Sequence, residues 1–374
     1  MLSGGGARAA YQVGFLRHVA SRHPDLAPGI LTGVSAGGII ASYLASHPGR
    51  FIDAVTALSD IWRDLQIDQV FRVDTRHLTT RVGRWALRLM SGGAPGAPGA
   101  KSLVDTTPLQ QLLVRMLDAE PDGTLGGIAR RIEQGRVGAV ALTASSYTTG
   151  QSVTWVQGRG ASRVITWEGA QRESLGVPLC VGHVMASAAL PLFFPAIEIG
   201  GAWYGDGGIR LTAPLSPAIH LGAKKIMAVS TRYARSREEA RDPAVSGYPP
   251  PAQVAGVLLN AVFLDLLDSD AIRLEQLNAL IDRLPPGSHD GLHHINLLVL
   301  RPSQDLGRLA NEFEADLPNP FRFLIRGLGS RETRSNDLLS LVMFQRDYIA
   351  RLIDIGESDA RARASEIDAF LARP

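Results

Sequence analysis

Gly33-Val34-Ser35-Ala36-Gly37 constrains the fold more than any other stretch, because it demands a strand before it and a helix after it. Ahead of the serine, Ile30, Leu31 and Val34 are apolar and partly β-branched, which predicts a buried strand. Behind it, Ile39, Ile40, Tyr43 and Leu44 recur at helical spacing. A serine held between the two, with glycine two residues to either side, has the form of a nucleophile elbow. Gly33 and Gly37 leave room where a Cβ would clash. The serine oxygen is then pushed out above the sheet, and its amide sits at a helix N-terminus, where negative charge is favoured. The pentapeptide alone is weak: with 39 glycines in 374 residues, chance supplies on the order of 0.2 such matches. Its company decides the matter.

A second anion-binding feature opens the chain. Gly4, Gly5 and Gly6 are followed by Ala7 and Arg8, and then Tyr11, Phe15, Leu16 and Val19 fall on one helical face. Three consecutive glycines at the positive end of a helix present bare backbone N–H groups to an anion. Gly4-x-Gly6-x-x-Ala9, with Asp25 nearly at the ribose-binding distance, also satisfies a dinucleotide fingerprint. That fingerprint needs a preceding strand, and only Met1 to Ser3 stand there. Ser21-Arg22-His23-Pro24 does not read as the end of a second strand either. An oxyanion hole serving Ser35, drawn from Gly4, Gly5, Gly6, Ala7 and Arg8, is the better reading.

Composition removes several function classes. Hydrophobic content of 45% and charged content of 20% belong to a globular protein, and a net charge of +2 is too small to argue for nucleic acid. The single cysteine, Cys180, excludes an internal disulfide and a cysteine zinc cluster; it reads as a core residue. Metal ligation and calcium are not implied, because no acidic loop has EF-hand spacing. The N-terminus lacks a basic start followed by an apolar run, and the apolar stretch 177–199 is broken by Pro191 and Pro195. A cytoplasmic protein is expected, with any membrane contact peripheral.

Along the chain, 51–71 reads as a core-facing helix, 109–117 as a helix, 138–144 as a strand and 152–156 as its hairpin partner. Arg81, Arg84 and Arg88 share one face of a helical pattern, with Val82, Trp85, Ala86 and Leu89 on another. The pattern suits an ordinary surface helix and also an anionic lipid surface. The Gly/Pro/Ala run 91–100 beside it reads as a loop or a lid. Lys225 to Ser230 is a strand, read as the last of the core, and 232–251 a loop. Val254 to Leu284 reads as one long helix, Ile295 to Leu300 as a strand, and Leu338 to Ile353 as a helix. His289, His293 and His294 read as surface residues. Alternating helices and strands imply an α/β protein with its site at the carboxyl ends of the strands.

Asp206-Gly207-Gly208, read alone, is a hairpin turn. Its place in the chain gives it another meaning. The glycine loop, the serine pentapeptide and Asp206-Gly207-Gly208, in that order and at that spacing, resemble the three signatures of the patatin-like phospholipases. Ala186 to Pro195 resembles the segment before the family's aspartate, and Ser102 to Leu109 is a further similar stretch, so that the resemblance spans about residues 1–220.

The resemblance implies a three-layer α/β/α fold with a mainly parallel central sheet. It also implies a Ser35–Asp206 dyad with no histidine between, supported by Gly33, Gly37, Gly207 and Gly208. Amides of Gly5, Gly6 and Ala7 would hold the oxyanion, and Arg8 would either neutralise negative charge or cap the loop by a salt bridge. The substrate would be a lipid or lysolipid ester, cleaved in the manner of a phospholipase A or lysophospholipase, with no cofactor. Two departures stand out. The family has a hydrophobic strand ahead of its glycine loop, so here either that strand is very short or native residues precede Met1. Ala9 also stands where glycine is common. The expected division is a catalytic domain over 1–231 and a mostly helical extension over 232–374, without a chemistry motif, that packs on the core and shapes access to it. Two other readings remain: an α/β-hydrolase triad in which Asp206 or Asp265 pairs with a histidine such as His289, and a non-catalytic lipid- or nucleotide-binding module.

Overall fold

The computed structural model describes residues 1–72, 80, 83–84, 87–88, 90–92, 102–159, 167–242, 245, 247–263, 265–285, 291–327, 329 and 335–372. A central sheet is flanked by helices. The helices of the first half are α1 (Ala10–Arg22), α2 (Ala36–Ser46), α3 (Phe51–Arg63), α4 (Ile67–Val70), α5 (Thr107–Met116), α6 (Gly126–Glu133) and α7 (Val181–Ser187). Those of the second are α8 (Ser216–His220), α9 (Pro251–Phe263), α10 (Leu266–Ile281), α11 (Leu306–Ala310), α12 (Asn319–Gly327), α13 (Asp337–Val342), α14 (Arg346–Ala362) and α15 (Ala364–Ala372).

The strands are β1 (Ile30–Val34), β2 (Ala139–Ser146), β3 (Ser152–Gly158), β4 (Glu168–Gly169), β5 (Arg172–Gly176), β6 (Ile197–Ile199), β7 (Ala202–Asp206), β8 (Lys225–Val229) and β9 (Asn296–Leu300). Every residue of β2 is buried, which explains its nearly continuous apolar sequence. Beside β2 runs β1, in parallel, with Ile30 opposite Ala139 and Val34 opposite Thr143. Leu2 bridges both Gly33 of β1 and Val229 of β8, and β8 pairs in parallel with β9. Ahead of the glycine loop, Leu2 thus supplies a rung of the sheet through which β8 and β9 join it.

The mainly parallel sheet expected from the sequence needs correction. Strands β2 and β3, β2 and β7, β6 and β7, and β4 and β5 pair antiparallel, while β3 and β5 are parallel. The sheet is mixed, parallel around β1 and largely antiparallel beyond β2. Nor does β8 close the core, because β9 lies on its outer side. Each of the three long helix patterns proves to be two helices. The pattern over 51–71 breaks after Arg63, where Gln66 and Gln69 form a capping box. That over 254–284 breaks after Phe263, and that over 338–353 breaks at 343–345, where Gln345 accepts from the Tyr348 amide.

Most of Arg81 to Ala100, read as a basic helix and a loop or lid, lies outside the described residues; Arg84 and Arg88 are exposed. Cys180, expected in the core, is half-buried and caps α7, with its Sγ 3.2 Å from His183 Nδ1. Among the described residues no helix is long and apolar enough to cross a membrane, and no group of His, Cys, Asp or Glu is arranged to hold a metal.

Candidate active site

The position of the site follows from how strands share the edge of β2. On that edge β1 covers Ala139 to Thr143, ending with Val34 opposite Thr143. From the opposite direction β7 covers Ala144 to Ser146, ending with Asp206 opposite Ala144. Two strands meet head-on over adjacent residues, so the residue after Val34 faces the carboxylate that ends β7. That residue is Ser35. It is 7% exposed and adopts φ 55°, ψ −133°, a left-handed conformation costly for a side-chain-bearing residue.

Ser187, from α7, seals the junction. Its hydroxyl donates to the Thr143 carbonyl at 2.7 Å and accepts from the Ser35 amide at 3.0 Å. The turn also needs Gly37, because a Cβ there would run into the carbonyl oxygen of Leu2. Gly33 lies against the backbone of Gly37 and Gly38, Gly207 against the Thr143 carbonyl, and Gly208 against the Phe263 ring.

Asp206 is 0% exposed. One carboxylate oxygen, Oδ1, accepts from the Gly208 amide at 2.9 Å, while Oδ2 is buried with no hydrogen bond of ordinary geometry. Burial pushes the carboxyl up to about 7; the nearby Ser35 hydroxyl and the Gly208 amide pull the other way without offsetting it. An acid in that range is a far better proton acceptor for an alcohol than one near its ordinary value.

The glycine loop crosses over Ser35. Gly4 backs onto the Ser35 Cβ, and its carbonyl accepts from the Thr231 hydroxyl at 2.7 Å. Gln12, from α1, holds the base of the loop by donating to the Ser3 and Val229 carbonyls at 2.8 and 3.1 Å. Gly6, at φ 53°, passes so close to the Leu341 carbonyl that no side chain could stand there. Among the described residues no hydrogen bond engages the amides of Gly5 and Gly6. Both residues line a cavity of about 30 Å³ with Ser35 and Asp206, walled by Ala188, Leu190, Phe194, Phe263, Leu341, Val342 and Phe344. From Ser35 a second cavity of about 50 Å³ runs inward past Ile39, Trp62, Leu65, Leu113 and Met116, with no charged side chain. A larger cavity, about 450 Å³, lies elsewhere, at the amino ends of β1 and β8 around Met1, Ile30 and Ile226.

Ala7 is buried in the turn after the loop. Arg8 points away from Ser35. Its guanidinium donates to Asp337 Oδ1 and to Ser340 Oγ, each at 2.6 Å, and is almost wholly buried. Of the two roles expected for it, this contact is the loop-capping salt bridge, made to α13. Asp265 pairs with Arg232, His294 with Asp282, and His289 lies outside the described residues. No histidine among the described residues lines either cavity at Ser35.

Sequence reasoning missed Ser187, Thr231 and the whole wall supplied by Leu341, Val342 and Phe344. Ser187 lies inside a stretch already noted, but nothing local marks its hydroxyl as the partner of the Ser35 amide. The wall has no motif at all. Its signal is spatial.

Residues 1–219 match the family model described as patatin-like phospholipase. No curated protein matches the chain. Among solved structures, VipD from Legionella pneumophila is similar at 14% identity and a TM-score of 0.36, over 94% of this chain and 66% of that one. Human GIVD cytosolic phospholipase A2, in complex with methyl gamma-linolenyl fluorophosphonate, is similar at 13% identity and a TM-score of 0.48, over 99% of this chain and 58% of that one.

Proposed function

The chain belongs to the patatin-like phospholipase family, and from that premise we propose that it is a serine acyl-ester hydrolase of phospholipids or lysophospholipids, working through Ser35 and Asp206. One observation carries the reading. A serine on a positive-φ turn and a fully buried carboxyl with a spare oxygen share one apolar cavity with two unengaged glycine-loop amides. In the reaction, Asp206 Oδ2 takes the proton of Ser35 as Oγ bonds to the ester carbonyl carbon. The amides of Gly5 and Gly6 stabilise the oxyanion that forms. As the tetrahedral species collapses, the alcohol leaves with the proton from Asp206, and an acyl-enzyme remains. Water then attacks it, Asp206 again taking a proton, and the fatty acid is released as Ser35 regains its hydrogen. The apolar cavity beyond Ile39 and Trp62 receives the acyl chain.

The experiment is hydrolysis of p-nitrophenyl esters of graded chain length by the wild type, Ser35→Ala and Asp206→Asn. Wild-type activity is expected to fall at least about 10⁴-fold in each variant with folding intact. Asp206 acts as a base only when ionised, so wild-type kcat/KM should fall as pH drops below about 7. Activity that survives in Asp206→Asn would sink the dyad and turn attention to the histidines.

A further inference from the structure

The walls of the inner cavity at Ser35 run on past the point where the cavity stops. Helix α2 carries Ala36, Ile39, Tyr43 and Ser46 on one face, at i, i+3, i+7 and i+10. Ala36 and Ile39 line the cavity that leads in from Ser35. Tyr43 and Ser46, further along the same face, line another cavity of about 300 Å³. Helix α5 follows the same order. Its Leu109, Leu112, Leu113 and Met116 recur at i, i+3, i+4 and i+7 and line the first cavity. Leu117, the next residue, lines the second.

One side chain stands between the two. Among the described residues, Met116 alone lines both cavities. They are therefore two lengths of one channel between α2 and α5, interrupted by a thioether. The far length ends at the surface, where Asp118, Arg130 and Gln134 are exposed. From Ala36 to Tyr43 the helix climbs about 10 Å, and a chain entering from Ser35 meets Met116 before it reaches the wider space. A methionine suits that place, because its unbranched apolar side chain fills an irregular gap and offers an alkyl chain no polar group.

We propose that Met116 is the stop that limits the length of acyl chain accepted at Ser35, and that the cavity behind it would hold a longer chain if the stop were removed. The proposal deepens the acyl-ester hydrolase reading above and rests on it for the identity of the chain. Each further buried methylene favours binding about fourfold, so passing about two of them beyond the stop gives a preference of at least about tenfold.

The ratio of kcat/KM for p-nitrophenyl palmitate to that for p-nitrophenyl octanoate, taken within each variant, tests this on the full chain. Met116→Ala should raise the ratio at least about tenfold over the wild type, and Met116→Phe should lower it. Gln134→Trp, at the far rim, should leave the wild-type ratio alone. Added to Met116→Ala it should take back most of the gain, because the longer chain then ends in a filled space. A ratio that Met116→Ala and Met116→Phe both leave unchanged overturns the proposal. So does a gain that Gln134→Trp does not reduce, since the room is then made locally and no channel is joined. Calorimetric binding of free palmitate to Ser35→Ala, with and without Met116→Ala, reads the same stop without any hydrolysis. Tighter palmitate binding in the double variant of a protein that cleaves no ester would sink the hydrolase reading and keep the stop. Ester cleavage with an unchanged ratio and unchanged palmitate binding does the opposite.

Discussion

The turn that carries Ser35 and the segment 337–344 that walls it are held in place by different means. The turn is held chiefly by main chain, with Ser187 Oγ as its one side-chain bolt named above. Leu2 N–H donates to the Thr32 carbonyl at 2.9 Å, Val34 N–H donates to the Leu2 carbonyl at 3.3 Å, and Gly37 lets two backbones touch. The wall is held by side chains: Arg8 on Asp337 and Ser340, and Phe344 in a cluster with Phe71, itself against Phe193 and Phe194. Main-chain contacts admit no added atom but are indifferent to which polar groups surround them. Side-chain contacts can be exchanged one at a time. Ser35 thus sits on the part fixed by close backbone packing, and the wall of its cavity on the part fixed by side chains.

Three substitutions test that contrast, in falling order of expected effect. Gly37→Ala forces a methyl into the Leu2 carbonyl and should leave no cooperatively folded protein, as read by thermal melting. A normal melt would show that the turn has slack and break the comparison. Asp337→Ala strands the buried Arg8 guanidinium and should cost about 3–5 kcal/mol in chemical denaturation. Asp337→Asn, which keeps one acceptor oxygen, should cost less, and a negligible loss in both would mean that the wall is not held by this pair. Ser187→Ala leaves the Ser35 amide and the Thr143 carbonyl without their shared partner and should cost about 1–2 kcal/mol. Its signature is a fall in kcat at nearly constant KM, because it loosens the nucleophile rather than the acyl pocket. Unchanged kcat would move Ser187 from the site to the scaffold.

The elbow was legible because its determinants are local: Ile30, Leu31 and Val34 before the serine, Ile39 and Tyr43 after it, and glycines on either side. The meeting of Ser35 with Asp206 followed from the resemblance alone and not from the residues themselves. It depends on β1 and β7 sharing one edge of β2, and a strand's sequence does not record which neighbour lies on which edge. The β2–β3 hairpin was legible, but the other antiparallel pairs escaped for the same reason. Long helix patterns were read through their breaks because the residues there keep the apolar rhythm: Leu65, Met343 and Phe344 are all buried. Only the caps at Gln66 and Gln345 interrupt it. Arg8 was visible as a loop residue, but Asp337 lies in a stretch without a motif, so the sequence could not show that the two pair.

The tie between the glycine loop and α13 has a consequence for biosynthesis. Ser35 leaves the ribosome before the residues that fix its loop: Ser3 at the foot of the loop docks on the Val229 carbonyl, and Arg8 waits for Asp337. Helix α1 is also closed by α14, where Gly356 packs on the Tyr11 carbonyl. Until Asp337 is made, the nascent chain carries Ser35 and then Asp206 with the glycine loop above them still unfixed. On the proposed function, a fragment released by a ribosome stalled before Asp337 would hold both Ser35 and Asp206 and still be inert toward esters.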